Sequence, residues 1–161
     1  MMKMSVVLLL IVTLFVAACA EGQTVVEPPV IRYGEDRCAH CGMIISDARF
    51  AAGYLYEVGE GRYKSVIFDD IGDMVHYAGE QDSQTVRAWY VHDYTSEEWL
   101  DAAQAHYVVS EELHSPMGYG IAAHSTLAAA EALATEKNGD VFDWEGLQMH
   151  IAANGQMSHN H

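Results

Sequence analysis

The same succession of patterns runs twice along this chain, and a repeated order of elements restricts the possible folds more than any single motif does. Residues 50–58 and 62–68, split by Gly59-Glu60-Gly61, read as two strands of a hairpin. Asp69 or Asp70 then stands as a cap before Ile71, Met74, Val75 and Ala78, whose spacing is helical. A strand around Trp89, Val91 and Tyr94 follows. From Ala105 the order returns: strand at 105–109, strand at 118–123, an alanine-rich helix at 126–136 capped by Ser125 and ended by Asn138-Gly139, and a last strand at 141–144. Between the halves, residues 96–100 suggest a short capped turn of helix. The implied architecture is a duplicated α+β domain of strand-strand-helix-strand units, with helices packed on antiparallel sheet.

The chemistry concentrates in Cys38-Ala39-His40-Cys41-Gly42-Met43 and in a second methionine turn, Ser115-Pro116-Met117-Gly118. Two thiols, an imidazole and one or two thioethers are soft donors, which favour Cu(I) over hard cations. If the duplication holds, the two turns occupy comparable places in their halves and are able to converge. Cys41 and Met43 are the leading ligands, because one turn places a thiolate beside a thioether. Met117 follows, since a Pro-Met-Gly turn presents a side chain better than it packs one, whereas Met74 on its apolar helix face reads as core. Cys38 is a ligand, a partner in a protective disulfide with Cys41, or a thiol standing behind the ligands. His40 and His114 flank the two turns as further candidate metal ligands, though nine histidines on an acidic chain are mostly solvated. Asp69, Asp70 and Asp93 read as caps and turns rather than as general acids or bases, and no nucleophile with a catalytic company is evident.

Compartment follows from the N-terminus. Lys3, an apolar run over 5–15 and Val16-Ala17-Ala18-Cys19 form a secretory signal too short for a stable span. Small residues before a cysteine resemble a bacterial lipobox, in which Cys19 is acylated; ordinary cleavage near Cys19 is the alternative. No aspartate follows Cys19 at the position that resembles an inner-membrane retention signal, which points to the outer membrane. The division is then 1–18 signal peptide, 19–36 lipid-anchored tether with Pro28-Pro29, 37–148 copper-binding domain and 149–161 flexible His/Met tail. The mature chain of roughly 140 residues suffices for one domain. Net charge of -15, from 23 acidic and 8 basic residues, weighs against nucleic acid as a partner.

The residues 38–43 pattern, Phe68-Asp69-Asp70 before Asp73-Met74, Tyr90-Val91-His92-Asp93-Tyr94, Trp99-Leu100-Asp101-Ala102 and Ser115-Pro116-Met117-Gly118 together resemble the NosL family of copper-binding lipoproteins. The resemblance covers 38–142; His40 and the tail 157–161 depart from its pattern. It implies a periplasmic, membrane-anchored chaperone without enzymatic turnover. It further implies delivery of Cu(I) for the copper-sulfide centre of nitrous oxide reductase, or to another copper-requiring client, on a fold similar to the organomercurial lyase core. Three alternatives remain: a Cys38/Cys41 redox module, a lyase-like enzyme, for which the sequence around Cys41 shows no adjacent carboxylate, and a zinc-binding protein.

Overall fold

A computed structural model describes residues 26–158. The first unit opens with the hairpin of β1 (Ala52–Gly59) and β2 (Arg62–Phe68), paired antiparallel from Ala52 opposite Phe68 to Gly59 opposite Arg62. Helix α1 (Ile71–Gly79) follows, and β3 (Val86–His92) returns to pair antiparallel with the other edge of β1. A short strand β4 (Trp99–Asp101) extends the sheet to the order β2-β1-β3-β4. The second unit repeats the path: β5 (His106–Val109), β6 (Ile121–His124), α2 (Leu127–Glu136) and β7 (Asp140–Phe142), in the order β6-β5-β7. In each unit the first strand lies between the second and third. The expected duplicated α+β architecture is therefore present down to strand order, with β4 as an addition to the first unit.

The two sheets meet at a parallel bridge between Asp93 and Ala123, and Tyr94 N donates to Ala123 O at 2.8 Å. The Asp93 carboxylate accepts from the backbone N–H groups of Thr95, Ser96 and Ser125 at 2.8–3.0 Å. Although burial opposes ionisation, these donors hold the Asp93 carboxyl far below the ordinary range. Between the units the core gathers Tyr54, Phe68, Ile71, Met74, Val91, Tyr107 and Ile121, all essentially inaccessible to solvent. Met74 is thus core, as its helical spacing implies.

Four local expectations need correction. Residues 96–100 do not form a turn of helix: Asp93 caps a tight turn in which Glu97 takes φ 59°, and the chain emerges as β4. Thr126, rather than Ser125, caps α2, its hydroxyl accepting from Ala129 N. The sixth strand starts only at Ile121, because the preceding loop folds back on itself through Ser110 N to Gly120 O and Gly120 N to Ser115 Oγ, both 2.9 Å. Finally, the ordered domain exceeds 37–148 at both ends. Pro29 is buried, Gly34 N donates to Ile45 O, and Tyr90 Oη donates to Val26 O, so the later part of the 19–36 tether is built onto the domain. At the other end α3 (Trp144–Ser158) replaces much of the expected tail. Its Leu147 and Ile151 enter the core one helical turn apart, and Trp144 packs on Trp89 and Tyr107 with ring centroids 5.4 and 5.7 Å away. The expected signal peptide and its Cys19, and residues 159–161, lie outside the described residues.

Candidate metal centre

Residues 38–43 form a tight knuckle. Arg37 and Ile44 pair as an antiparallel bridge, Cys38 N donates to Met43 O at 2.8 Å, and Gly42 N donates to Cys38 O at 3.1 Å. Gly42 takes φ 74°, a left-handed conformation that a side chain at this position would strain. Ala39 N donates to Ile67 O at 2.9 Å and so docks the knuckle on the end of β2, where the chain passes into α1.

That junction brings carboxylates to the thiols. Asp69 closes β2 and Asp73 lies in the first turn of α1; each is 1% exposed. Cys38 Sγ donates to Asp73 Oδ2 at 3.4 Å, Cys41 Sγ stands 3.5 Å from both Asp69 oxygens, and Cys41 N donates to Cys38 Sγ at 3.5 Å. One potential ligand atom from each of Cys38, Cys41, Asp69 and Asp73 lies within 4.8 Å of the others. Both cysteines are free thiols, Cys38 buried and Cys41 half-buried. Burial is the main cause that pushes both thiols above the ordinary cysteine range, and the neighbouring Asp69 charge adds to it at Cys41. The resting pair is therefore protonated at neutral pH, and a metal must displace those protons to bind. A dithiol redox motif works through a lowered thiol pKa. This pair has the opposite shift, which disfavours the redox alternative.

Asp70 ties the second methionine turn to the same junction. Its carboxylate caps α1 by accepting from Gly72 N at 2.9 Å, and it also accepts from Ser115 Oγ at 2.6 Å and Met117 N at 3.1 Å. Burial pushes the Asp70 carboxyl up, while these donors hold it down. Gly72 is needed here, because a Cβ would lie 2.1 Å from the Tyr119 ring. The two turns that the sequence set 70-odd residues apart are thus fixed on adjacent residues, Asp69 and Asp70. Met43 and Met117 remain 48% and 39% exposed, among the few large apolar side chains presented to solvent.

The remaining candidates separate. His40 lies against the cluster, with Nδ1 3.0 Å from Asp73 Oδ1. His114 is exposed and belongs to neither group of neighbouring ligand atoms among the described residues. Asp70 and Asp93 are the cap and turn residues that the sequence suggests, but Asp69 is not a cap: it faces Cys41. A carboxylate beside the thiols does exist, supplied from 28 and 35 residues away rather than from the motif itself. No local pattern could have revealed it.

A pair of protonated thiols backed by buried carboxylates, with two exposed methionines on the turns held at the same junction, defines a binding protein for a soft or borderline metal ion. The NosL family model matches residues 29–152, and the chain belongs to that family. It is similar to the copper-binding lipoprotein NosL of Stutzerimonas stutzeri, 30% identical over 140 residues, covering 80% of this chain and 72% of the relative. The fold is similar to the crystal structure of the copper chaperone NosL from Shewanella denitrificans, with TM-score 0.59 and 23% identity over 74% of this chain and 93% of that one. Both relatives are named for binding or chaperoning copper rather than for catalysis.

Proposed function

We infer that this chain is a Cu(I) metallochaperone held on the periplasmic side of the outer membrane by a lipid on Cys19. Cu(I) is its cargo. Cys41, Met43 and Met117 are the ligands, joined by Cys38, while Asp69 and Asp73 receive or orient the displaced thiol protons. The observation that carries this reading is the convergence of the 38–43 knuckle and the 115–117 turn on the Asp69-Asp70 junction. A soft ion needs few donors and makes weak geometric demands, and exposed thioethers let a partner exchange ligands with it. The client is nitrous oxide reductase or another copper-requiring protein of the same compartment; the acidic surface, net charge -15, favours a basic docking patch on it.

Zinc at the same thiols is a second reading, favoured by one feature: Asp69 and Asp73 complete a two-sulfur, two-oxygen set that would also suit a tetrahedral ion. A displacement experiment separates the two. The reduced chain loaded with one Cu(I) should keep it against a large excess of Zn(II) and yield it only to a Cu(I)-specific chelator. Release of copper to zinc would establish the zinc reading instead. The anchor is tested by intact-mass measurement of the mature chain from membranes, which should show acyl chains on Cys19 and their loss in Cys19→Ser. A mature wild-type chain without lipid would remove the anchor from the account.

A further inference from the structure

Beside the thiol cluster, α1 carries Asp73 and His76 three residues apart, and Glu80 caps its end four residues later. They follow one face of the helix. His40, from the knuckle, lies over that row, its ring stacked on His76 with centroids 5.6 Å apart and planes 19° apart. One potential ligand atom from each of His40, His76 and Glu80 lies within 4.8 Å of the other two. His76 Nδ1 is buried and has no hydrogen-bond partner among the described residues; Glu80 Oε1 stands 3.5 Å from it. That gap is long for a hydrogen bond but close to the separation of two donors on one four-coordinate ion, whose bonds of about 2.0–2.1 Å place ligand pairs about 3.4 Å apart. His40 makes the kind of outer contact that metal-binding histidines usually make: Nδ1 stands 3.0 Å from Asp73 Oδ1, and Nε2 is the ring nitrogen that this contact leaves for an ion.

Two imidazoles and a carboxylate are harder donors than the thiols and thioethers next to them. They suit Cu(II) or Zn(II) and suit Cu(I) poorly. We propose that His40, His76 and Glu80 form a second metal site, separate from the thiols, which takes a divalent ion of the Cu(II) and Zn(II) class. His40 and Glu80 are exposed, so water is available to complete the coordination, and His76 and Glu80 also line the cleft between α1 and α3 that opens the site to solvent. Asp73 touches both centres, accepting from Cys38 through one oxygen and holding His40 through the other. The proposal does not depend on Cu(I) binding at the thiols, and its test silences them.

The chain with Cys38→Ala and Cys41→Ser is titrated with Zn(II) against a chromogenic chelator and with Cu(II) by electron paramagnetic resonance. One equivalent of each should bind, and adding His76→Gln or Glu80→Gln should weaken binding at least tenfold and alter the Cu(II) spectrum, while the thermal melt stays the same. In the otherwise intact chain, His76→Gln should remove one bound equivalent of Zn(II), which keeps the test independent of how the thiol-free chain folds. Unchanged affinity, spectrum and stoichiometry in the His76 and Glu80 variants would overturn the proposal.

Discussion

Cys41→Ser should lower the affinity for Cu(I) by more than a hundredfold while leaving the apo chain's melting temperature nearly unchanged. Loss of a residue that merely supports a metal ligand costs about 10–100-fold in affinity, so removal of a direct thiolate must exceed that range. Cys41 is the informative cysteine because it is half-buried, and its change to serine keeps a group able to donate to Asp69. A substitution of that kind costs about 1 kcal/mol or less. Cys38 is 3% exposed and packed in the core, so its replacement would confound binding with folding. Chelator competition and a thermal melt on the same sample give both numbers. An affinity within tenfold of the parent would remove Cys41 from the ligand set.

Asp70→Ala should have the largest effect on stability. One buried carboxylate serves as the cap of α1 and as the acceptor for Ser115 Oγ and Met117 N, which join the two halves. Losing a cap costs about 1 kcal/mol, and each buried donor left without a partner costs a further ~1–3 kcal/mol. Relief of the carboxylate's own burial offsets part of this, so a net loss of about 3 kcal/mol is expected, or a fall of about 10 °C in melting temperature. Because the same residue positions the 115–117 turn, Cu(I) affinity should fall as well, even at temperatures where the variant is fully folded. Asp93→Ala offers the contrast: it removes a comparable set of backbone contacts, to Thr95, Ser96 and Ser125, at a place without a candidate ligand. A stable Asp70→Ala variant with parental affinity would show that the turn is held by other contacts.

What could be read from the sequence depended on how local the determining interactions are. The hairpin of β1 and β2 is marked by apolar strands around Gly59-Glu60-Gly61, and the repeated order of strands and helices appears in the alternation of period and punctuation along the chain. The thiols and Met43 sit within one knuckle, so their chemistry is visible in six consecutive residues. Asp69 and Asp73 acquire their meaning only when Ala39 docks on Ile67 and the β2 to α1 junction turns beneath the thiols; as sequence they look like helix-start aspartates. The same limit explains α3. Its helical face rests on Leu147 and Ile151 with Trp144, among glycine, asparagine and histidine, and it forms because the groove beside Trp89 and Tyr107 accepts those side chains. β4 was equally hidden, since a left-handed Glu97 gives no compositional signal.

The central claim is that exposed methionines on two distant turns hold the copper together with the knuckle thiols. It is tested most directly by titrating Cu(I) into Met43→Leu, Met117→Leu and the double variant, each in competition with a Cu(I)-specific chelator. Methionine to leucine nearly conserves volume, and both sites are open to solvent, so the apo melts should match the parent. Each single variant should then bind Cu(I) about tenfold more weakly, or more so, and the double variant should be weaker than either. Normal folding with parental affinity in all three would contradict the account and leave a site built from Cys38, Cys41 and a histidine.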